Sequence, residues 1–162
     1  MHIESLKEVL ENNPNVVIIT NNGVGKLLNE SGIKYEVLED KVAKKILGVE
    51  LEAHDCKHEE IFEEIGQVQN TGYFIDKRLF YPGDSFYNPN KPVEILALPV
   101  AGPWTNIKNS INYALEIKPK ICFPVHDGML NHFGTAHKVP ALVLSKFGII
   151  FKTFEGGKEE EF

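Results

Sequence analysis

The sequence of 162 residues contains few of the features that mark disulfide-rich, membrane-spanning or secreted proteins. Its two cysteines, Cys56 and Cys122, are far apart and have no C-x-x-C spacing, so neither a disulfide framework nor a zinc knuckle is indicated. No apolar run approaches the ~20 residues that span a bilayer, and no basic-then-apolar signal peptide follows Met1. We therefore expect reduced, mostly buried thiols, a cytoplasmic protein and no membrane partner.

The sequence also has fewer basic than acidic residues. The chain has 17 Lys and Arg residues against 23 Asp and Glu residues, a formal net charge of −6. This balance argues against a protein that binds nucleic acid by neutralising phosphates. The length predicts a single domain, which we place at residues 1–155, followed by a flexible acidic tail over residues 156–162.

The hydrophobic pattern predicts both helices and strands. Apolar residues at helical spacing predict helices over residues 5–11, 24–31, 107–117 and 141–147. β-branched and alternating runs predict strands over 16–19, 35–38, 94–98, 121–123 and 149–154, and a hairpin joining 73–75 to 79–81. Ser5 and Glu8 are predicted to form a capping box. Because hairpins and strand-helix-strand units both occur, the fold class is α/β or α+β with a mixed sheet.

Asp84 is the sharpest candidate for a functional residue. It follows Pro82 and Gly83 directly after a predicted strand, where a glycine allows a tight turn that can aim the next side chain out from the sheet edge. A carboxylate in that position can bridge two cations. The alternative is a turn aspartate that only makes a local hydrogen bond.

Two histidines occupy similar positions. His126 lies in Phe123–Gly128, just after a predicted strand, and His58 lies in a polar stretch near the end of another. Each alone could be a solvated loop histidine, and His54 competes with His58 because it directly ends a strand-like run. We interpret His132 and His137 as surface residues or helix termini, because neither follows a strand.

Together, His58, Asp84 and His126 form a stronger pattern than any one of them. Histidine nitrogen and aspartate oxygen are ligands that zinc accepts, and glycine or proline flanks these loops. Three ligands are nevertheless too few for two metals, since a hydrolytic site normally uses about three protein ligands per metal.

The segments around these residues resemble a metallo-β-lactamase-fold hydrolase of the branch that includes the ascorbate-6-phosphate lactonase type. The matching segments, in order, are Asn70-Thr-Gly-Tyr73, Tyr81-Pro-Gly-Asp-Ser85, Leu96-Ala-Leu-Pro-Val-Ala-Gly-Pro-Trp104 and Phe123-Pro-Val-His-Asp-Gly128. The resemblance implies that His58 binds a first metal, that Asp84 bridges both metals and that His126 binds a second. Asp84 and His126 are then the catalytic residues.

The family signature H-x-H-x-D-H is not present, and His2 stands where its last histidine would be. The resemblance therefore implies His2 as a fourth ligand, and a partial αββα sandwich without its leading strands. An open sheet edge and apolar face would then be covered by a second copy of the chain or by another partner.

Two functions from different classes follow from the resemblance. The first is a metal-dependent hydrolase in which metal-bound hydroxide attacks an ester, lactone or phosphoester of a small-molecule substrate, with one or two zinc ions, or manganese or iron. The second is a truncated or degenerate scaffold that binds metal weakly or not at all and acts as a binding or assembly module. A nucleotide-binding domain has only residues 22–26 in its favour, and these lack the spacing of known phosphate loops.

Overall fold

A seven-stranded mixed sheet forms the centre of the structure, a computed structural model that describes residues 2–154. The first elements along the chain are helix α1 (Ile3–Asn12), strand β1 (Ile19–Thr20), helix α2 (Asn22–Glu30) and strand β2 (Glu36–Val37). The large sheet contains β3 (Ala43–Ile46), β4 (Val49–Lys57), β5 (Gln69–Ile75), β6 (Leu79–Tyr81), β7 (Ile95–Pro99), β8 (Ile121–Val125) and β9 (Ile150–Phe151). Helix α3 (Ile107–Ile117) joins β7 to β8, and helix α4 (Gly134–Ser145) joins β8 to β9.

The strands of this sheet lie side by side in their order along the chain. Strands β3 to β6 pair antiparallel, whereas β6 to β9 pair parallel. Because β5 runs opposite to its two neighbours, β4, β6, β7 and β8 all run in one direction. Their carboxyl ends therefore meet at one edge, which we call the site edge. The predicted α/β class with a mixed sheet is confirmed.

One face of the sheet packs against α3 and α4. The inward side chains of successive strands alternate with outward ones, and the inward set forms the main core. That core includes the fully buried Phe80, Leu96, Leu98, Ala114 and Leu144. Burial of large apolar side chains between a sheet and two helices supplies most of the driving force for this layer.

The opposite face is only partly covered. The small parallel pair of β1 and β2 lies over β4 and β5, where the Tyr73 hydroxyl donates to the Leu38 carbonyl at 3.0 Å. Across β6 to β9 this face carries a row of apolar side chains that is open only in part: Tyr81 is 36% and Ile150 60% exposed, whereas Ile95 and Ala97 are buried, and Phe154 packs on Phe123. The register places these residues in the row: Leu79, Tyr81, Ile95, Ala97, Ile121, Phe123, Val125 and Ile150.

The main differences from the sequence predictions lie at element boundaries. Helix α1 begins at Ile3 and is capped by the His2 side chain, which accepts from the Ser5 amide, so the predicted Ser5–Glu8 capping box is wrong. Helix α4 begins at Gly134 rather than at residue 141, and it includes Pro140. The predicted tail over residues 156–162 lies outside the described residues. None of the helices in the described part of the chain has the length and hydropathy of a membrane span.

Candidate metal centre

Three loops that leave the site edge bring His58, Asp84 and His126 together. His58 directly follows β4, His126 directly follows β8, and Asp84 lies in the turn after β6. The strands between them separate these loops in sequence but not in space, because β4, β6 and β8 end at the same edge. The sheet itself therefore gathers the three residues that the sequence singled out.

Asp84 lies between the two histidines. Its Oδ1 atom is 3.1 Å from Nδ1 of His126, and its Oδ2 atom is 3.9 Å from Nε2 of His58. The histidine side chains are 15% and 19% exposed, whereas the Asp84 side chain is 44% exposed. The carboxylate thus directs one oxygen at each imidazole and remains open to solvent.

An aromatic wall closes one side of this group. The Trp104 ring lies 5.9 Å from the ring of His58 and 5.9 Å from that of His126, and it packs against Phe86 at 5.2 Å. The hydrogen bond with His126 lowers the pKa of Asp84, with help from the charges of both histidines and from Trp104 against a smaller desolvation effect. Asp84 is therefore an ionised acceptor near neutral pH.

The second nitrogen of each imidazole also has a partner. Nδ1 of His58 lies 2.5 Å from the Glu59 carbonyl oxygen, which can only accept, so Nδ1 carries a proton and Nε2 is the nitrogen that faces Asp84. Nε2 of His126 lies 3.3 Å from the Tyr81 hydroxyl. His126 itself adopts a left-handed backbone, with φ of 65°.

The donor types and their spacing fit metal ligation in part. Two ligand atoms on one tetrahedral zinc are roughly 3.4 Å apart, given bond lengths of about 2.1 Å, and the two observed separations of 3.1 and 3.9 Å lie on either side of this value. Each carboxylate oxygen is nevertheless paired with a single histidine. Within residues 2–154, no group of three or more His, Cys, Asp or Glu side chains gathers closely enough to hold a metal. At about three protein ligands per metal, two metals would need about three ligands beyond His58, Asp84 and His126.

The other histidines have different roles. His2 is exposed and caps α1 through Ser5, and these contacts do not join it to His58, Asp84 or His126. His54, which competed with His58 at the sequence level, is 2% exposed and packs against Phe74 and Phe80.

Two supporting residues were missed at the sequence level. Nε2 of His137 lies 2.7 Å from Oδ2 of Asp127, the residue that follows His126, so α4 is tied to the His126 loop. Asn70 lies in a segment that the sequence singled out without giving the residue a role, and it bonds to the Asp84 loop. Neither contact joins residues at a spacing that a sequence pattern could reveal.

Comparison with solved structures shows a shared fold. The structure of Igni18, described as a novel metallo hydrolase from the hyperthermophilic archaeon Ignicoccus hospitalis KIN4/I, matches with a TM-score of 0.68 and 14% identity. The match covers 97% of this chain and 72% of Igni18. A candidate zinc-dependent hydrolase of the metallo-β-lactamase superfamily from Thermotoga maritima matches over 61% of this chain and 53% of its own, with a TM-score of 0.41 and 16% identity.

A curated relative matches part of the sequence. Protein Rv0786c of Mycobacterium tuberculosis (strain ATCC 25618 / H37Rv) is 31% identical over 78 residues, which are 45% of this chain and 37% of the relative. The matched region is therefore little more than a third of that protein.

The family comparison covers the larger part of the chain. Residues 3–126 match the model of the β-lactamase superfamily domain, a span that runs from α1 to the His126 loop. It includes His58, Asp84 and His126 together with the strands that place them. The chain therefore belongs to the family of β-lactamase superfamily domains.

Proposed function

We propose that this chain forms part of a metal-dependent hydrolytic site. In this site His58 and His126 lie on opposite sides of Asp84 and bind metal together with its carboxylate. The observation that carries the proposal is the position of the Asp84 carboxylate, with one oxygen toward each imidazole. Membership of the family and the fold shared with a metallo hydrolase support it. The substrate class is a small molecule with an ester, lactone or phosphoester bond.

The chemistry divides between the metal and the protein. A bound divalent metal would acidify water to give a nucleophile at neutral pH and would polarise the carbonyl or phosphoryl oxygen under attack. Asp84 supplies negative charge, and the Nδ1–H bond of His58 to the Glu59 carbonyl holds its ring in the tautomer that presents Nε2. Trp104 and Phe86 exclude water from one side of the group. Zinc suits these nitrogen and oxygen donors, and manganese or iron would also accept them.

A second candidate function has an observation in its favour. No group of three metal-ligating side chains occurs within residues 2–154, so these residues alone favour weak metal binding or none. In that case the chain acts as a scaffold or assembly module. For the hydrolase, ligands from outside the described residues have to complete the site.

Metal binding by the whole chain separates the two functions. The chain is purified without chelator, its metal content is measured, and zinc is titrated against a chromophoric chelator. We expect zinc to bind, and His58→Ala, Asp84→Asn and His126→Ala each to weaken that binding. His132→Ala is the control, because His132 is exposed and makes no contact with the three residues in the hydrogen bonds and ion pairs described.

The outcomes are distinct. Binding lost in the three variants and kept in the control, with zinc-stimulated hydrolysis of a nitrophenyl ester or phosphodiester, supports the hydrolase. A folded chain that takes up no zinc at micromolar concentration supports the scaffold. Two tightly held metals per chain would overturn the scaffold.

We also propose that a second copy of the chain covers the apolar row on the open face of the sheet. Parallel strands are normally covered on both faces, whereas within residues 2–154 helices cover β6 to β9 on one face and leave Tyr81 and Ile150 exposed on the other. The row contains no charged side chain, so two copies could pack there without desolvating a charge.

A further inference from the structure

We propose that Asn70 is a positioning residue that fixes the backbone of Asp84 and thereby places its carboxylate between His58 and His126. The proposal rests on the proposed function, since it assigns a second residue to the same site. Asn70 does not touch the imidazoles. It acts through the turn that carries Asp84.

The Asn70 side chain is 7% exposed and its amide groups are satisfied by this turn. Its Oδ1 accepts from the Asp84 amide at 2.9 Å, and its Nδ2 donates to the Pro82 carbonyl at 2.8 Å. Nδ2 also approaches Ser85 Oγ at 3.3 Å and Cys56 Sγ at 3.1 Å. The Asn70 amide has one orientation, because its oxygen must face the Asp84 N–H and its nitrogen must face the Pro82 carbonyl.

The turn is shaped to receive this amide. Gly83 has φ of 68°, which favours glycine, and a Cβ built on Gly83 would lie 2.3 Å from Oδ1 of Asn70. Any side chain at residue 83 would therefore push Asn70 away from the Asp84 amide. Gly83, which the sequence analysis treats as a turn residue, therefore also leaves the space that the Asn70 amide occupies.

The carbonyl of Asp84 is held from the opposite direction. The Glu59 amide, adjacent to His58, donates to the Asp84 carbonyl oxygen at 2.8 Å. The Glu59 carboxylate accepts from the Phe86 amide at 3.1 Å. Asp84 is thus fixed through its N–H by Asn70 and through its C=O by the His58 loop. Of these two restraints on the Asp84 backbone, the one from Asn70 comes from a side chain and can be removed by substitution.

The test compares Asn70→Ala with a matched control, Asn21→Ala. Asn21 is an equally buried asparagine, 5% exposed, that caps α2 and donates to Thr71 at 3.1 Å on the other face of the sheet. Both substitutions remove a buried amide, so both lower stability, measured by urea unfolding. Gly83→Ala is a second variant that disturbs the Asn70–Asp84 contact from the side of the turn.

Two readouts address positioning directly. One is zinc affinity by chelator competition, and the other is hydrogen exchange of the Asp84 amide in the zinc-free protein by NMR. We expect Asn70→Ala and Gly83→Ala to weaken zinc binding about 10- to 100-fold, the range typical of loss of a supporting contact behind a ligand. We also expect the Asp84 amide to exchange at least about tenfold faster than in Asn21→Ala, because it has lost its acceptor.

Either of two results would overturn the proposal. One is unchanged protection of the Asp84 amide in both Asn70→Ala and Gly83→Ala, and the other is an equal effect of Asn21→Ala on both readouts. If the unmodified chain binds no zinc, the proposed hydrolytic function fails, whereas the exchange measurement still decides whether Asn70 fixes Asp84. Failure of the two proposals is thereby distinguishable.

Discussion

Nδ1 of His126 lies 3.1 Å from Oδ1 of Asp84, and His126 reaches this position with a left-handed backbone. A non-glycine residue with positive φ costs about 1 kcal/mol or more, so the surrounding contacts of the ring have to compensate for that cost. These contacts include Tyr81 and Trp104. Strain at this residue is consistent with a functional role for its side chain.

His126→Gly separates the strain from the contacts. Both His126→Gly and His126→Ala lose the ring, but only glycine adopts φ of 65° without a steric cost. We expect the glycine variant to have a free energy of unfolding about 1 kcal/mol above that of the alanine variant, while both lose zinc binding. Urea unfolding of the two variants measures the difference. An alanine variant that equals or exceeds the glycine variant in stability would contradict the assignment of strain.

Because His54 is buried, we expect the free energy of unfolding to fall below neutral pH. Desolvation lowers the pKa of His54 from its ordinary value of 6.5, against the opposing charge of Glu52. Neither ring nitrogen has a hydrogen-bond partner in the described residues; Nε2 lies 3.1 Å from Glu52 Oε1 without hydrogen-bond geometry. The pKa of His54 is lower in the folded chain than in the unfolded chain. The contribution of neutral His54 to the free energy of unfolding is therefore complete above pH 6.5, and it is lost as the pH falls from 6.5 through the folded pKa.

The measurement is urea unfolding between pH 5 and pH 8 for the unmodified chain, His54→Phe and His132→Ala. We expect the unmodified chain and His132→Ala to lose stability on acidification, and His54→Phe to lose less. Phenylalanine suits a position that contacts Phe74 and Phe80. An identical pH dependence in all three proteins would show that His54 does not titrate in this window.

The two thiols are expected to differ in reactivity. Burial raises the pKa of Cys122 to about 12, and its side chain is 0% exposed within the core. Cys56 is partly exposed and approaches Asn70 and Ser85. At pH 8 a disulfide reagent should modify Cys56 first and Cys122 only on unfolding, with Cys122→Ala as the control. Rapid labelling of Cys122 in the folded chain would contradict its burial.

The cytoplasmic location expected from reduced cysteines stays a prediction.

Self-association through the open sheet face is tested by charge insertion. Ile150 is 60% exposed in the apolar row, and Leu142 is 64% exposed on α4, which packs on the other face. Light scattering is expected to find a dimer for the unmodified chain and for Leu142→Lys, and a monomer for Ile150→Lys. A monodisperse monomer of the unmodified chain at micromolar concentration would rule out the second copy.

The sequence predicted the parts of the fold that depend on local patterns. Helix α3 was predicted over residues 107–117, where it occurs, because its apolar spacing and the following proline agree. The hairpin of β5 and β6 was predicted from alternation around Asp76–Arg78, and it is confirmed. Short strands were overestimated: residues 149–154 contain only β9 at 150–151. A strand ends where its partner ends, and the partner is not visible in a single sequence.

The candidate site could be predicted in outline but not in detail. Strand-end position singled out Asp84 and His126, and the family resemblance favoured His58 over His54. The order and direction of the strands bring these three residues together. The contacts that surround them join distant segments: Asn70 and Glu59 bond to the Asp84 backbone, and the Trp104 ring packs against both imidazoles. The left-handed backbone of His126 could not be predicted from its residue type alone, since glycine is the usual choice there.

The arrangement of β4, β6 and β8 gives a bound metal a further role. His58, Asp84 and His126 become neighbours only when the strands between them have paired, so a partly folded chain with β8 undocked would have no place for the ion. A metal that binds only the assembled sheet shifts the folding equilibrium in proportion to its concentration relative to its Kd. It would also tie the last strands to the first ones across the hairpin. Detachment of β8 and release of the ion would then be a single event, and metal retention would report whether the sheet is intact.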